Sequence, residues 1–133
     1  MIKEIKKYYV PLLLVAATLL ILLSGWGNYR FLLGGSRELL AIVDQLESSV
    51  EQENWQQAGA DLETLKTVWG KVSKYWPMLV HHEEMDRIEE SINKLKSYIR
   101  YKDTAQSLAE LFNLNYYIRH IPQKEAFNLQ NIF

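Results

Sequence analysis

No cysteine occurs in the 133 residues, so neither a disulfide framework nor a lipid-modified cysteine supports this chain, and its redox compartment stays open. Proline stands only at positions 11, 77 and 122, and glycine does not recur after Gly70. That scarcity favours long helices over sheet, because the residues that break helices are nearly missing. Gly-rich phosphate loops, dinucleotide fingerprints and a Gly-flanked Ser at a strand-to-helix turn are all absent, which removes the usual phosphate-binding and hydrolase constellations. With no Cys and only three His, nucleophilic catalysis has no support in the sequence; we expect no enzyme and no cofactor. Beyond Tyr8, 12 Lys or Arg face 15 Asp or Glu, mixed along the chain. Without a basic stripe to neutralise phosphates, nucleic acid is not an expected partner.

Charge is also missing altogether between Lys7 and Arg30, and what fills the gap is apolar: ten Leu, Ile or Val lie between Val10 and Leu23. Together they favour insertion into a bilayer by roughly −3 to −6 kcal/mol. A helix from Tyr8 to Trp26 is about 28 Å long, close to the hydrocarbon thickness of a membrane. Residues 8–29 are therefore read as a transmembrane anchor contacting the lipid bilayer, with Tyr8, Tyr9, Trp26 and Tyr29 at the two interfaces. A cleaved signal peptide is the competing reading, but Ser24-Gly25-Trp26-Gly27 supplies no clear small-x-small cleavage site. Lys3, Lys6 and Lys7 precede the span while only Arg30 and Arg37 follow closely. The positive-inside rule then predicts a cytoplasmic N-terminus over residues 1–7 and an extracytoplasmic body.

Gly34-Gly35 reads as a flexible break within a hinge over 30–35, with Ser36 as the N-cap of the next helix. The helical body is expected over 36–121, as hairpins 36–76 and 77–121. In the first helix Leu39, Val43, Leu46 and Val50 fall on one face. A turn near 53 and a cap at Asn54 with Gln57 lead into the second helix. There Trp55, Ala58, Leu62, Leu65, Trp69, Val72 and Trp76 alternate by three and four as an a/d seam. Trp76-Pro77 should end it. The third helix, starting between 77 and 82, buries Met85, Ile88, Ile92, Leu95 and Ile99. Asp103 with Gln106 caps a fourth, which buries Leu108, Leu111, Leu114, Ile118 and Ile121. Because no Gly or Pro separates helices three and four, one continuous rod is the alternative. The predicted fold is all-α: a single N-terminal transmembrane helix followed by two antiparallel hairpins, packed as a four-helix bundle or a tetratricopeptide-like stack.

A shift of 49 residues superposes Leu39 on Ile88, Val43 on Ile92, Leu46 on Leu95, Val50 on Ile99, Leu62 on Leu111 and Leu65 on Leu114. Since 49 is seven heptads, any two heptad segments would match in that way, and only the pairing of Asn54 with Asp103 is independent of the period. Duplication of a hairpin and coincidence of period both stay open.

Polar residues cluster at His81, His82, Glu83, Glu84, Asp86, Glu89 and Glu90. His82, Asp86 and Glu89 share a helix face and form the candidate metal site, set against the simpler reading of acidic residues at a helix N-terminus. His81, one turn before Met85, is a candidate pH-sensitive group at the mouth of the core. Tyr98, Tyr101, Tyr116 and Tyr117 fall partly off the apolar stripes and could form an aromatic patch. The tail over 122–133 places Phe127, Leu129, Ile132 and Phe133 beyond the last proline, where they must either fold back across the bundle or dock on a partner. The candidate partner-binding residues are Tyr116, Tyr117, Phe127, Leu129, Ile132 and Phe133. An apolar ligand held between the hairpins is a further option.

The seam from Trp55 to Trp76, the His82-x-x-x-Asp86-x-x-Glu89 segment, the Lys102-Asp103 turn, His120-Ile121 and Asn131-Ile132-Phe133 resemble an uncharacterised family. Its members are small, membrane-anchored, all-helical proteins of Gram-positive spore-forming bacteria. The resemblance brings no activity; it implies a membrane complex, because the genes of that family accompany those of small multi-pass membrane proteins. The expected function is a non-enzymatic interaction module, an accessory subunit of a membrane or envelope complex that binds another membrane protein or itself. The alternative is an extracytoplasmic metal-ion or small-ligand sensor.

Overall fold

The computed structural model describes residues 2–132 and consists of four helices: α1 (Ile2–Glu51), α2 (Trp55–Val72), α3 (His82–Arg100) and α4 (Thr104–Ile132). A short 3-10 turn, Trp76–Met78, lies between α2 and α3. The helices run alternately up and down and pack as a four-helix bundle. In it α1 lies against both α2 and α4, α3 against α4, and α2 touches α3 more lightly. The expected all-α fold with two antiparallel hairpins is what forms, and the turn at Lys102-Asp103 rules out a continuous rod through α3 and α4.

The core is the predicted seam, except that Trp55 and Leu108 are only partly buried at its edge. Leu39, Val43, Leu46 and Val50 of α1 are fully buried, as are Ala58 and Leu65 of α2, Ile88 and Leu95 of α3, and Leu114 and Ile118 of α4. Trp69 and Trp76 meet edge to face, with ring centroids 5.9 Å apart, a geometry favoured by the ring quadrupoles.

Both hairpin turns are built alike. At the first, the N–H of Glu53 bonds to the Val50 carbonyl and that of Asn54 to the Ser49 carbonyl, each at 2.9 Å. At the second, the N–H groups of Lys102 and Asp103 bond to the Ile99 and Tyr98 carbonyls at 3.1 and 2.9 Å. Each is a Schellman closure, with a left-handed residue at its centre, Glu53 (φ 52°) or Lys102 (φ 57°). Each is followed by a side-chain cap: Asn54 Oδ1 accepts from the Gln57 N–H at 3.2 Å, and Asp103 Oδ1 from the Gln106 N–H at 3.0 Å. The 49-residue correspondence thus extends to backbone geometry that the heptad period does not dictate.

Three expectations are corrected. The hinge at 30–35 does not form: α1 is continuous from Ile2 to Glu51, on the order of 75 Å of helix. Its buried face begins at Leu32 and continues through Ser36, so tertiary packing outweighs the cost of about 1 kcal/mol that each glycine brings to a helix interior. Gly35 serves close approach instead, because a Cβ there would lie 3.3 Å from the Trp76 indole nitrogen. Second, α2 ends at Val72 and Trp76 enters the 3-10 turn, still completely buried.

Third, α4 does not stop at Ile121 but continues through Pro122 to Ile132. The cause is chemical. Pro122 has no N–H, so the carbonyl of Ile118, four residues earlier, loses its helical donor. The buried Ser36 hydroxyl donates to that carbonyl at 3.0 Å. Ser36 is therefore a bond between α1 and α4 rather than an N-cap. The tail does not fold back across the bundle.

Candidate functional site

The first half of α1 stands apart from the bundle. Between Tyr8 and Trp26 its large side chains are exposed, including Leu20 at 69% and Ile21 at 65%. This segment is long and apolar enough to cross a membrane. Where it meets the bundle, α1 and the end of α2 enclose an open cleft of about 380 Å³ whose walls include Arg30, Phe31, Gly34, Lys71, Tyr75 and Trp76. Phe31 and Tyr75 are half-exposed and meet edge to face at 6.2 Å. Met78, in the adjoining turn, is 81% exposed. Open space lies above Gly34, so a helix could approach the backbone closely there. On α1 itself, Arg30 lies 5.3 Å from the centre of the Trp26 ring, a cation–π pairing. Beneath the cleft, the Trp76 indole N–H is buried without a hydrogen-bond partner.

A second cleft, of about 130 Å³, opens between α3 and α4 and is lined by Glu83, Glu84, Arg87, Tyr116, Tyr117, His120 and Lys124. Tyr116 stacks on His120 with centroids 5.6 Å apart and meets the edge of Tyr117 at 6.1 Å. An ion pair between Lys124 and Glu84 ties the start of α3 to α4.

The structure separates several predicted site residues. His82, Asp86 and Glu89 all face solvent on α3, and no group of three or more His, Cys, Asp or Glu among the described residues is placed to hold a metal ion. Sharing a face of one helix supplies no ligands from facing helices, so the spacing does not become a coordination shell. His81 is exposed rather than set in the core mouth; it is the N-cap of α3, its carbonyl accepting from the Glu84 N–H at 3.1 Å. Tyr116 and Tyr117 come together, but Tyr117 packs partly against the core, and Tyr101 sits at the far turn, so the four tyrosines form no single patch. Phe127 is exposed on the extension of α4. The side chains of Leu129, Ile132 and Phe133 lie outside the described residues.

Two polar contacts were missed by the sequence reading. Asp61 and Glu110 are buried acids. Asp61 accepts from the Ser49 hydroxyl at 2.6 Å and from the Gln57 amide at 2.8 Å. Glu110 accepts from Ser91 at 2.5 Å. The two serine bonds each join the helices of one hairpin, the Gln57 bond lies within α2, and the acids are 49 residues apart. The signal was available in that shift, which pairs Asp61-Leu62 with Glu110-Leu111.

A model of a family described as a domain of unknown function, DUF4363, matches residues 28–132. Its boundary falls just after the exposed apolar half of α1, so the match covers the bundle and the α4 extension. No curated protein and no solved structure matches.

Proposed function

The chain belongs to the DUF4363 family, and we propose that it is a single-pass membrane protein whose bundle is a non-enzymatic interaction module, an accessory subunit of a membrane or envelope protein complex. The observation that carries this reading is the cleft between α1 and α2 at the junction with the apolar half of α1. It presents Phe31 and Tyr75 half-exposed beside a glycine with open space above it. Aromatic anchors around a recess are the usual energetic centre of a protein contact, and small residues let helices approach closely within and near a bilayer. Its occupant is a helix of a neighbouring membrane protein, leaving the same bilayer alongside α1. Lys3, Lys6 and Lys7 support a cytoplasmic N-terminus and an external bundle through the positive-inside rule. The anchor and the kinship with small membrane-anchored proteins of Gram-positive spore formers belong to the same proposal. Its non-enzymatic character rests on the missing nucleophile and phosphate-loop motifs.

Photo-cross-linking tests it. A photoreactive residue replacing Tyr75 in the full chain, in native membranes, should capture one dominant membrane protein, whereas the same residue replacing Ala105 should not. Equal labelling from both positions, or adducts to lipid alone from Tyr75, would overturn the proposal.

A further inference from the structure

The extension of α4 has a place in the fold that the bundle does not explain. Ser36 of α1 meets Ile118 of α4, and the two helices are antiparallel. Further along, Tyr29 and Leu33 share a recess with Arg119, Pro122 and Gln123. From Gln123 the helix continues to Ile132, about 13 Å farther. With the two helices antiparallel, that rise brings its end level with the segment of α1 that contains Trp26. No charged side chain follows Glu125 in the sequence, and Phe127, 62% exposed, comes close to the height of Trp26. Above this end Arg30 and Lys71 line one recess and Arg37 and Arg119 line another. None of these four makes an ion pair among the described residues; Glu38 is the acid in the first recess, and Glu125 lies on α4.

The geometry points to a second membrane contact: we propose that α4 from Ala126 onward enters the lipid interface beside the anchor, with Arg37 and Arg119 meeting anionic phospholipid headgroups. This rests on the reading of residues 8–29 as a membrane span. Continuity with that span and charge complementarity select lipid as the occupant. A short helical end with Phe, Leu and Ile among amide side chains suits the boundary between headgroups and acyl chains, and basic residues just above it suit the phosphate layer. Pro122 and Ser36 then have a joint role: the Ser36 hydroxyl, donating to the Ile118 carbonyl that Pro122 leaves without a helical donor, keeps α4 helical across a residue that would otherwise end it, carrying the apolar end down to the bilayer.

The absence of cysteine gives a clean test. Full-length protein carrying Asn131→Cys, Leu20→Cys or Ala105→Cys is labelled with bimane and reconstituted in phosphatidylcholine vesicles with and without phosphatidylglycerol. Quenching is read with lipid-borne nitroxide and with aqueous iodide. The expected result is nitroxide quenching at 131 and 20, iodide quenching at 105, and stronger nitroxide quenching at 131 when phosphatidylglycerol is present. An Arg37→Gln/Arg119→Gln variant should lose that gain. Iodide quenching at 131 with nitroxide quenching at 20 would overturn this proposal and leave the anchor standing. Iodide quenching at both would remove the anchor as well. Shielding of 131 from both quenchers would mean that protein covers it, and equal nitroxide quenching in both lipids would remove the headgroup contact; either result contradicts the proposal.

Discussion

The two halves of α1 share one backbone and follow opposite solvent rules. From Tyr8 to Trp26 apolar side chains occupy every face and are exposed; from Leu32 to Val50 they return every three or four residues and are buried. A helix apolar all round calls for an apolar medium, while one with a single apolar stripe calls for a partner surface. The boundary falls around Arg30, without a break in the backbone. In this account one rigid helix is both the membrane span and a wall of the bundle, so the bundle is held at a fixed attitude to the bilayer instead of swinging from a hinge.

The comparison breaks most readily at the core. Leu46→Ala, at a fully buried position, should cost about 2–5 kcal/mol in urea unfolding of the full chain in detergent. Leu19→Ala, at a position 53% exposed, should leave the bundle's unfolding unchanged; equal losses at the two sites would end the distinction between the halves.

Removing the hydroxyl that bridges α1 to α4 comes next. Ser36→Ala should cost about 1 kcal/mol. The loss should shrink in a Pro122→Ala background, where a restored N–H supplies the Ile118 carbonyl, and a double-mutant cycle with no coupling would refute the assigned role.

The paired glycines sharpen the boundary itself. With open space at its Cβ position, Gly34→Ala should stabilise by about 0.5–1 kcal/mol through helix propensity. Gly35→Ala should gain less or lose stability, since its methyl group meets the immobile Trp76 ring; identical gains would show that the ring does not confine this position.

The smallest effect belongs to the surface. Glu90 and Lys94 form an exposed pair at 2.8 Å. The hydrogen bond to Lys94 and its charge lower the Glu90 pKa, while the hydrogen bond to Glu90 raises that of Lys94. A lowered carboxyl pKa stabilises above the unfolded value, and the contribution disappears as pH falls through the folded value. Glu90→Gln should therefore lower the melting temperature slightly at neutral pH and low salt. The difference should vanish on acidification or in high salt, and one that persists in acid would need another cause.

The seams were legible because their apolar residues keep a fixed spacing, and so were the caps at Asn54 and Asp103, which act within one turn. What escaped depends on residues far apart in the chain. Gly34-Gly35 looks like a hinge until Trp76 is placed against Gly35, and Pro122 looks like a stop until Ser36 supplies the missing donor. Single-residue signals for breaking a helix lost to contacts that only the folded bundle creates. The candidate site was less legible: the cleft between Phe31 and Tyr75 joins two segments more than forty residues apart, whereas His82, Asp86 and Glu89 are close in sequence yet never converge. Spacing along one helix reports a shared face, and a binding site needs several elements to meet.

Hydrogen exchange of the full chain in lipid nanodiscs tests the central claim most directly. The account predicts slow exchange across both halves of α1, over residues 12–26 because lipid excludes water and over 32–50 because the bundle does, with no fast-exchanging hinge at 34–35. Rapid exchange over 12–26 beside slow exchange over 32–50 would place the apolar half in water and contradict it.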